Sequence, residues 1–254
     1  MSPASTRATS GLGEPGWRAV LSTSRVLRAL DGVIDPELDE PITTLRFVSS
    51  CEVTPDGDVE VLLRLPTPQC APNFAFLMAA DARKAVRRLP GVRNVSVKLE
   101  DHYTGDEINA ALGRGVGFTG AFPGETDDDS LESLRELFSR KALVARQSKL
   151  CEQLLAGGAS AEEVVGMRLA QLPDGIGARR CVELRAQLGI AVDPASPAFV
   201  SGAGEPVAAA QLSRWLRMGR LVRTSLEANG GICRSLLQFR HDLAAEIDTE
   251  EVAR

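Results

Sequence analysis

Aromatic residues make up only 4% of this 254-residue chain, too few for base-stacking platforms. Cationic runs are also missing, and the net charge is −5, so the electrostatic footprint of a nucleic-acid binder is absent from the sequence. No segment approaches the roughly 18 consecutive apolar residues that span a bilayer. The opening Met1-Ser2-Pro3-Ala4-Ser5-Thr6-Arg7 lacks the apolar stretch of a signal peptide. The expectation is a soluble, cytoplasmic protein with neither nucleic acid nor membrane as a partner. Histidines number two, and the five cysteines (Cys51, Cys70, Cys151, Cys181, Cys233) are widely spaced with no CxxC. A disulfide scaffold and a self-contained zinc ribbon are therefore not indicated. Any metal this chain holds should rest on few ligands, shared across a homodimer or with a partner.

What is present is ordinary globular composition, 44% hydrophobic and 25% charged, in a chain long enough for one large domain or two modest ones. Residues 1–20 are rich in Ser, Thr, Gly and Pro without periodicity and read as a disordered tail. A short helix is expected from Ser22 to Leu30, ending before Asp35-Pro36. Leu45–Val53 reads as a strand, Pro55-Asp56-Gly57-Asp58 as a turn, and Val59, Val61, Leu63 and Leu65 as the inward residues of a second strand, completing a β-hairpin. Asn73–Arg88 reads as a helix and Val92, Val95, Val97 and Leu99 as a third strand, with a short helix near Asp106–Leu112. The Gly-rich stretch from Gly113 to Gly124 contains neither GxxxxGK[ST] nor a completed GxGxxG, so it reads as a connection rather than a phosphate loop.

Beyond Asp127-Asp128-Asp129-Ser130 the pattern is helical: a long helix or kinked pair to Gly157-Gly158, then Ala161–Met167, Ala178–Leu188, Ala208–Glu227 and Asn229–Ile247. The fold class is therefore α+β. A small N-terminal α/β layer (helix, β-hairpin, helix, strand, residues 21–113) is joined by a linker, 114–128, to an all-α C-terminal domain, 129–254.

Cys70 is the residue with most chemical potential. It lies in Leu65-Pro66-Thr67-Pro68-Gln69-Cys70-Ala71-Pro72, after an alternating strand and before an amphipathic helix. A helix N-terminus favours negative charge, so a thiol there can serve as thiolate, a metal ligand or a nucleophile; the alternative is a small buried apolar residue. Asp35 and Glu37 sit in an acidic turn that the helix–strand order can bring to the same end of the sheet, giving a mixed oxygen and sulfur site suited to iron or zinc. Otherwise they are exposed turn charges. His102 and Glu107 follow the third strand and could join that mouth, or be exposed loop residues. Cys233, in Asn229-Gly230-Gly231-Ile232-Cys233-Arg234, is expected in the first turn of the last helix beside Arg234. It is a candidate reactive thiol there, or else a helix-interface residue. Cys51, Cys151 and Cys181 read as core.

These residues resemble the SufT/PaaD-like iron–sulfur cluster assembly family over about residues 26–111. Asp35-Pro36-Glu37 matches the family's D-P-E, Ile42, Leu45 and Val48 its I-x-x-L-x-x-V, and Asp56-Gly57 its hairpin turn. Pro68 and Cys70 fall on T-x-P-x-C-P, and Gly91, Val92, Val95 and Val97 on G-V-x-x-V-x-V. Tyr103-Thr104 stands where the family often has W-[TS]. The chain departs from the family in Thr44-Leu45-Arg46-Phe47-Val48 for D-L-G-L-V, in Pro66 for the motif Thr, and in the extra Ala71. The resemblance implies an accessory protein holding iron or a cluster transiently, with no catalytic residues. Phe122-Pro123-Gly124-Glu125, Leu134-Arg135, Phe138, Lys141-Ala142 and Ala145-Arg146-Gln147 look like longer bacterial relatives associated with multicomponent di-iron monooxygenases, which implies such an oxygenase as client metalloprotein. The competing readings are a chaperone-like adaptor that works without metal, and a thiol enzyme using Cys70 with His102 or His241 as base.

Overall fold

Ser22 starts the first helix by accepting a hydrogen bond from the Arg25 amide, and Val26 and Leu30 form its buried edge (α1, Thr23–Leu30). The computed structural model describes residues 21–252, with side chains through Arg240; the tail expected over residues 1–20 lies outside them. After α1 the chain makes a tight antiparallel excursion, β1 (Ile34–Asp35) against β2 (Glu40–Pro41), which carries the acidic turn. A turn with Arg46 at φ 60° places Leu45 in the core outside any strand, so the first long strand begins later than its apolar pattern suggests, at β3 (Val48–Val53).

β3 pairs antiparallel with β4 (Asp58–Arg64), and Gly57, at φ 88°, closes the hairpin. The glycine is required there, because a Cβ would lie 2.3 Å from the Gly91 carbonyl oxygen. α2 (Pro72–Arg87) returns the chain so that β5 (Asn94–Glu100) lies parallel to β4, giving the sheet order β3-β4-β5. Val59, Val61 and Leu63 align with Val95, Val97 and Leu99 in register, and Cys51 lies opposite Val61. This row packs with α1, α2 and the helix after β5, α3 (Gly105–Arg114), into the first core. Parallel pairing sets the carboxyl ends of β4 and β5 side by side. The loops at 65–71 and 101–104 thus share one edge of the sheet, where α/β folds place their sites.

The expected linker, 114–128, is structured. It carries a short helix, α4 (Phe118–Ala121), whose Phe118 is buried against Phe76. Its Gly117 lies against Asp129, whose carboxylate accepts the Thr119 amide, and a Cβ on Gly117 would collide with that carboxylate.

The second half is α-helical: α5 (Glu132–Ala156), α6 (Ala161–Gly166), α7 (Ile176–Gln187) and α8 (Ala209–Val252). α5 is one unbroken helix, the first of the two expected alternatives, whereas α8 corrects the sequence reading. α8 runs straight through Asn229-Gly230-Gly231, where two helices were expected. The glycines cost helix propensity, about 1 kcal/mol each, but Gly219 lets α8 approach α5 so closely that a Cβ would lie 2.3 Å from that of Ser148.

Arg185 organises the helical half. It is fully buried and donates to the carbonyls of Pro197 (2.9 Å) and Ala198 (2.7 Å) and to Gln147 Oε1 (3.1 Å). Gln147 Oε1 in turn accepts the Val200 amide at 3.0 Å. One cation thus fastens the 191–200 segment to α5 and α7. Arg185→Ala is expected to cost about 3 kcal/mol or more, because it strands buried acceptors. Urea denaturation of the variant checks this, and a loss below about 1 kcal/mol would contradict it.

Candidate functional site

Cys70 sits where β4 hands over to α2, half-buried against the first core. α2 begins with Pro72 at its first position and no side chain caps it, so the thiol stands beside a helix N-terminus that favours negative charge. The loop is fastened from the neighbouring strand end. The Tyr103 amide donates to the Pro68 carbonyl (3.0 Å), and His102 Nε2 lies 2.8 Å from the Cys70 carbonyl oxygen. The Thr104 amide donates to His102 Nδ1 (3.3 Å), which makes Nδ1 the acceptor and Nε2 the nitrogen that carries the proton. Thr67 Oγ1 lies 3.6 Å from the Cys70 sulfur. Beside Ala71 and Pro72 opens a groove of about 640 Å³, lined also by Tyr103, Phe118, Phe122 and Leu134.

The acidic turn, like this loop, is contacted by α8. Asp35 is buried, and its Oδ1 accepts the amides of Glu37 (2.8 Å) and Leu38 (2.9 Å), closing the turn. Burial outweighs those bonds and pushes the carboxyl up from 3.8 to about 6. Asp39, at φ 52° and buried, turns the other way and is held by Arg146 of α5 and by Arg180 of α7 at 3.3 Å.

α8 lies over both segments. Asn229 Nδ2 reaches Glu37 at 3.5 Å, Arg234 pairs with Glu40 at 2.8 Å, and Arg240 donates to the Leu65 carbonyl at 2.5 Å. Between them Cys233 packs against the same core as Cys70. Burial pushes its thiol up to about 11, and the nearby charges of Asp35, Cys70 and Glu37 push the same way.

Among the described residues the structure relates three of the candidates only through Cys233, on whose thiol the charges of Asp35, Cys70 and Glu37 all act. It sorts the other candidates differently. His102 spends both ring nitrogens on loop contacts and acts as a clamp on Cys70 rather than facing its sulfur. Glu107 is exposed in the first turn of α3. Cys233 is mid-helix, not in a first turn, so no helix terminus favours its thiolate, and the downward pull of Arg234, which pairs with Glu40, is outweighed by burial. Among the described residues no three His, Cys, Asp or Glu side chains converge on one ion position. The side chain of His241 lies outside the described residues. Cys151 and Cys181 are core, as their helical contexts suggest, whereas Cys51 is only partly buried. The grip of α8 on the acidic turn is the part that sequence reasoning missed. Its only local trace is the spacing of Asn229, Cys233, Leu237 and Arg240 along one helix face.

Asp35 makes a pH dependence measurable. A carboxyl raised in the folded state favours the protonated fold, so its stabilising contribution is present below about pH 4 and is lost as pH rises through about 6. Asp35→Asn keeps an oxygen for the two amides and removes the charge. At about pH 7.5 the variant should be more stable than the parent by up to about 3 kcal/mol, and near pH 4 the two should coincide. Chemical denaturation across that range tests this, and a pH-independent difference would refute the burial argument.

Comparison with known proteins fits this geometry. A family model described as iron–sulfur cluster assembly protein matches residues 23–99. An uncharacterized protein of Methanocaldococcus jannaschii is 36% identical over 87 residues, covering 34% of this chain and 90% of that protein. An iron–sulfur cluster carrier protein of Synechocystis is 39% identical over 80 residues, 32% of this chain and 22% of the carrier. One of Deinococcus radiodurans is 36% identical over 75 residues, 29% and 20%. The matched stretch spans about a fifth of the length of these two carriers. Among the described residues no helix is long and apolar enough to cross a membrane.

Proposed function

Because the chain belongs to the iron–sulfur cluster assembly protein family, we propose that it carries iron or an iron–sulfur cluster transiently, as a maturation factor rather than a turnover enzyme, with Cys70 as the thiol that engages the cargo or the client. The observation that carries this reading is the placement of Cys70. It stands half-exposed at the carboxyl end of β4, beside an uncapped helix start, and is held in place by His102 and Tyr103 from the adjacent strand end.

The cluster is cargo here. A thiolate binds iron only after losing its proton, so loading releases protons and is pH-dependent. His102 fixes the loop, and the Ala71–Phe122 groove offers a client surface next to the thiol. The thiol-enzyme alternative loses His102 as its base, because His102 Nε2 points at the Cys70 carbonyl and Nδ1 at Thr104. The client we propose is a component of a multicomponent di-iron monooxygenase, supplied with metal in the cytoplasm.

Anaerobic reconstitution with iron and sulfide tests the cargo role. Cys70→Ala should fold, since the residue contributes little packed area, and should retain less than about a tenth of the parent's iron, given that metal sites depend on each ligand. Parent-level iron in the folded variant would overturn the reading.

One observation favours a second role, that of an adaptor. Met218, Leu221, Ile232 and Phe239 are exposed along α8, an apolar set on a long helix of the kind that partners cover. Replacing Ile232 and Phe239 together by Glu should leave stability and iron uptake unchanged. It should weaken binding to a purified di-iron oxygenase component by about tenfold or more. Undiminished binding by titration would remove this face from the client interaction.

A further inference from the structure

α8 is apolar on two sides. The inner side is accounted for: Gly219 lies against Ser148, Arg223 meets Glu152, and Leu237 enters the first core. The outer side is not. Met218, Leu221, Ile232 and Phe239 are 54–68% exposed there, although a helix with one packed side should present polar residues on the other. With Ser225, Ala228 and Ser235 between them, the spacing from Met218 to Phe239 runs three, four, three, four, three, four, and every one of these residues is exposed. That is the 3.5-residue period of a coiled-coil seam. The seam is about 30 Å long.

The seam matches itself when reversed, as a surface that pairs about a two-fold axis must. Its middle is small and its ends are large. An antiparallel copy sets Ser225 against the partner's Ala228 at the axis, and Leu221 against the partner's Ile232 on either side. Phe239 then reaches the partner's Arg214, an exposed cation for an aromatic face. The flanks also admit a second copy. Val222, Asn229 and Leu236 on one side and Thr224, Gly231 and Gln238 on the other carry no charge, so identical chains meet without the repulsion that such positions use to exclude self-pairing. At roughly 100 Å² each, the exposed side chains of Met218, Leu221, Ile232, Leu236 and Phe239 offer about 1,000 Å² over two copies, the size at which specific interfaces begin.

We propose that α8 pairs antiparallel with α8 of a second copy of this chain through this seam. α8 meets the helical half at Arg220 and Arg223 and the sheet layer at Arg234 and Arg240, so the pairing sets each copy's sheet layer beside the other's helical half. The two Cys70 edges then lie at opposite ends of the pair. The face is the one that the adaptor role gives to a client, and the second copy occupies it until a client displaces it.

Sedimentation equilibrium of the full-length chain at about 100 μM, above the micromolar Kd that even a modest interface supports, should give twice the mass of one chain. Leu221→Glu and Ile232→Lys should each weaken pairing about a hundredfold or more, because each sets an unpaired charge against the seam. An equimolar mixture of the two variants should pair again. Only an antiparallel arrangement brings the carboxylate introduced in one chain against the ammonium introduced in the other. Both positions are exposed, and a thermal melt checks that each variant folds; the parent's own mass tests the pairing whether or not they do. A monomeric parent would overturn the pairing and leave the face to a client. Single variants that stay dimeric would overturn this seam as the interface, and a mixture that stays monomeric would overturn the antiparallel arrangement. None of these results touches the iron carried through Cys70, which reconstitution reads separately.

Discussion

A buried carboxylate, Asp39, holds the two halves of the molecule together. It lies at the end of the acidic turn and takes Arg146 from α5 and Arg180 from α7, while Arg146 also donates to the Asp39 carbonyl at 2.8 Å. An ion group this dry contributes little net stability relative to apolar packing. It does impose geometry, because either partner alone would be a buried uncompensated charge. The turn therefore has one orientation relative to the helical half, with Glu37 and Glu40 meeting Asn229 and Arg234 of α8. The cleft between the halves, lined by Pro36, Asp39, Asp81, Arg135 and Arg180, is bridged a second time where Arg135 meets Asp81 at 2.6 Å.

From that constraint the site follows. The parallel pairing of β4 and β5 brings two loops to one edge, His102 ties them, and the thiol stands at their junction. The helical half then contributes a face rather than a separate body. Leu131 and Leu237 enter the first core from either end of that half, so the all-α region and the sheet layer share apolar packing. Short stretches of α8 take part in each half: Arg220 and Arg223 bind Glu152 of α5, and further along Arg234 and Arg240 bind the sheet layer.

Much of the first half was legible because its signals are local. Alternation at Val59, Val61 and Leu63, the Asp56-Gly57 turn and the proline-flanked Cys70 segment each need only a few neighbouring residues to be read. The parallel register of β5 was not, since no local feature distinguishes a parallel from an antiparallel third strand. Leu45 misled because an apolar residue can be buried from a turn as readily as from a strand. Gly230-Gly231 misled in the same way: the local cost of glycine in a helix is real, but α8 is held on both sides of the pair, by Arg220 and Arg223 on Glu152 and by Arg234 on Glu40. Of the candidate site, Cys70, Asp35 and Glu37 were visible as motif residues. The clamp role of His102 depends on contacts between distant segments, and the seat of Cys233 left as its only local trace the face it shares with Asn229, Leu237 and Arg240.

The reach of α8 also sets an order of events in folding. Arg240 and the Leu65 carbonyl it binds are 175 positions apart, whereas the hairpin, α2 and β5 form from near neighbours. Long-range closures are paid for in chain entropy and come late. During synthesis the sheet layer can thus take shape with its cysteine mouth open, and only the arrival of the last helix closes over it. The sulfur-bearing edge has two successive lives, first bare and then half-covered, and passage from one to the other is governed by the docking of a single helix.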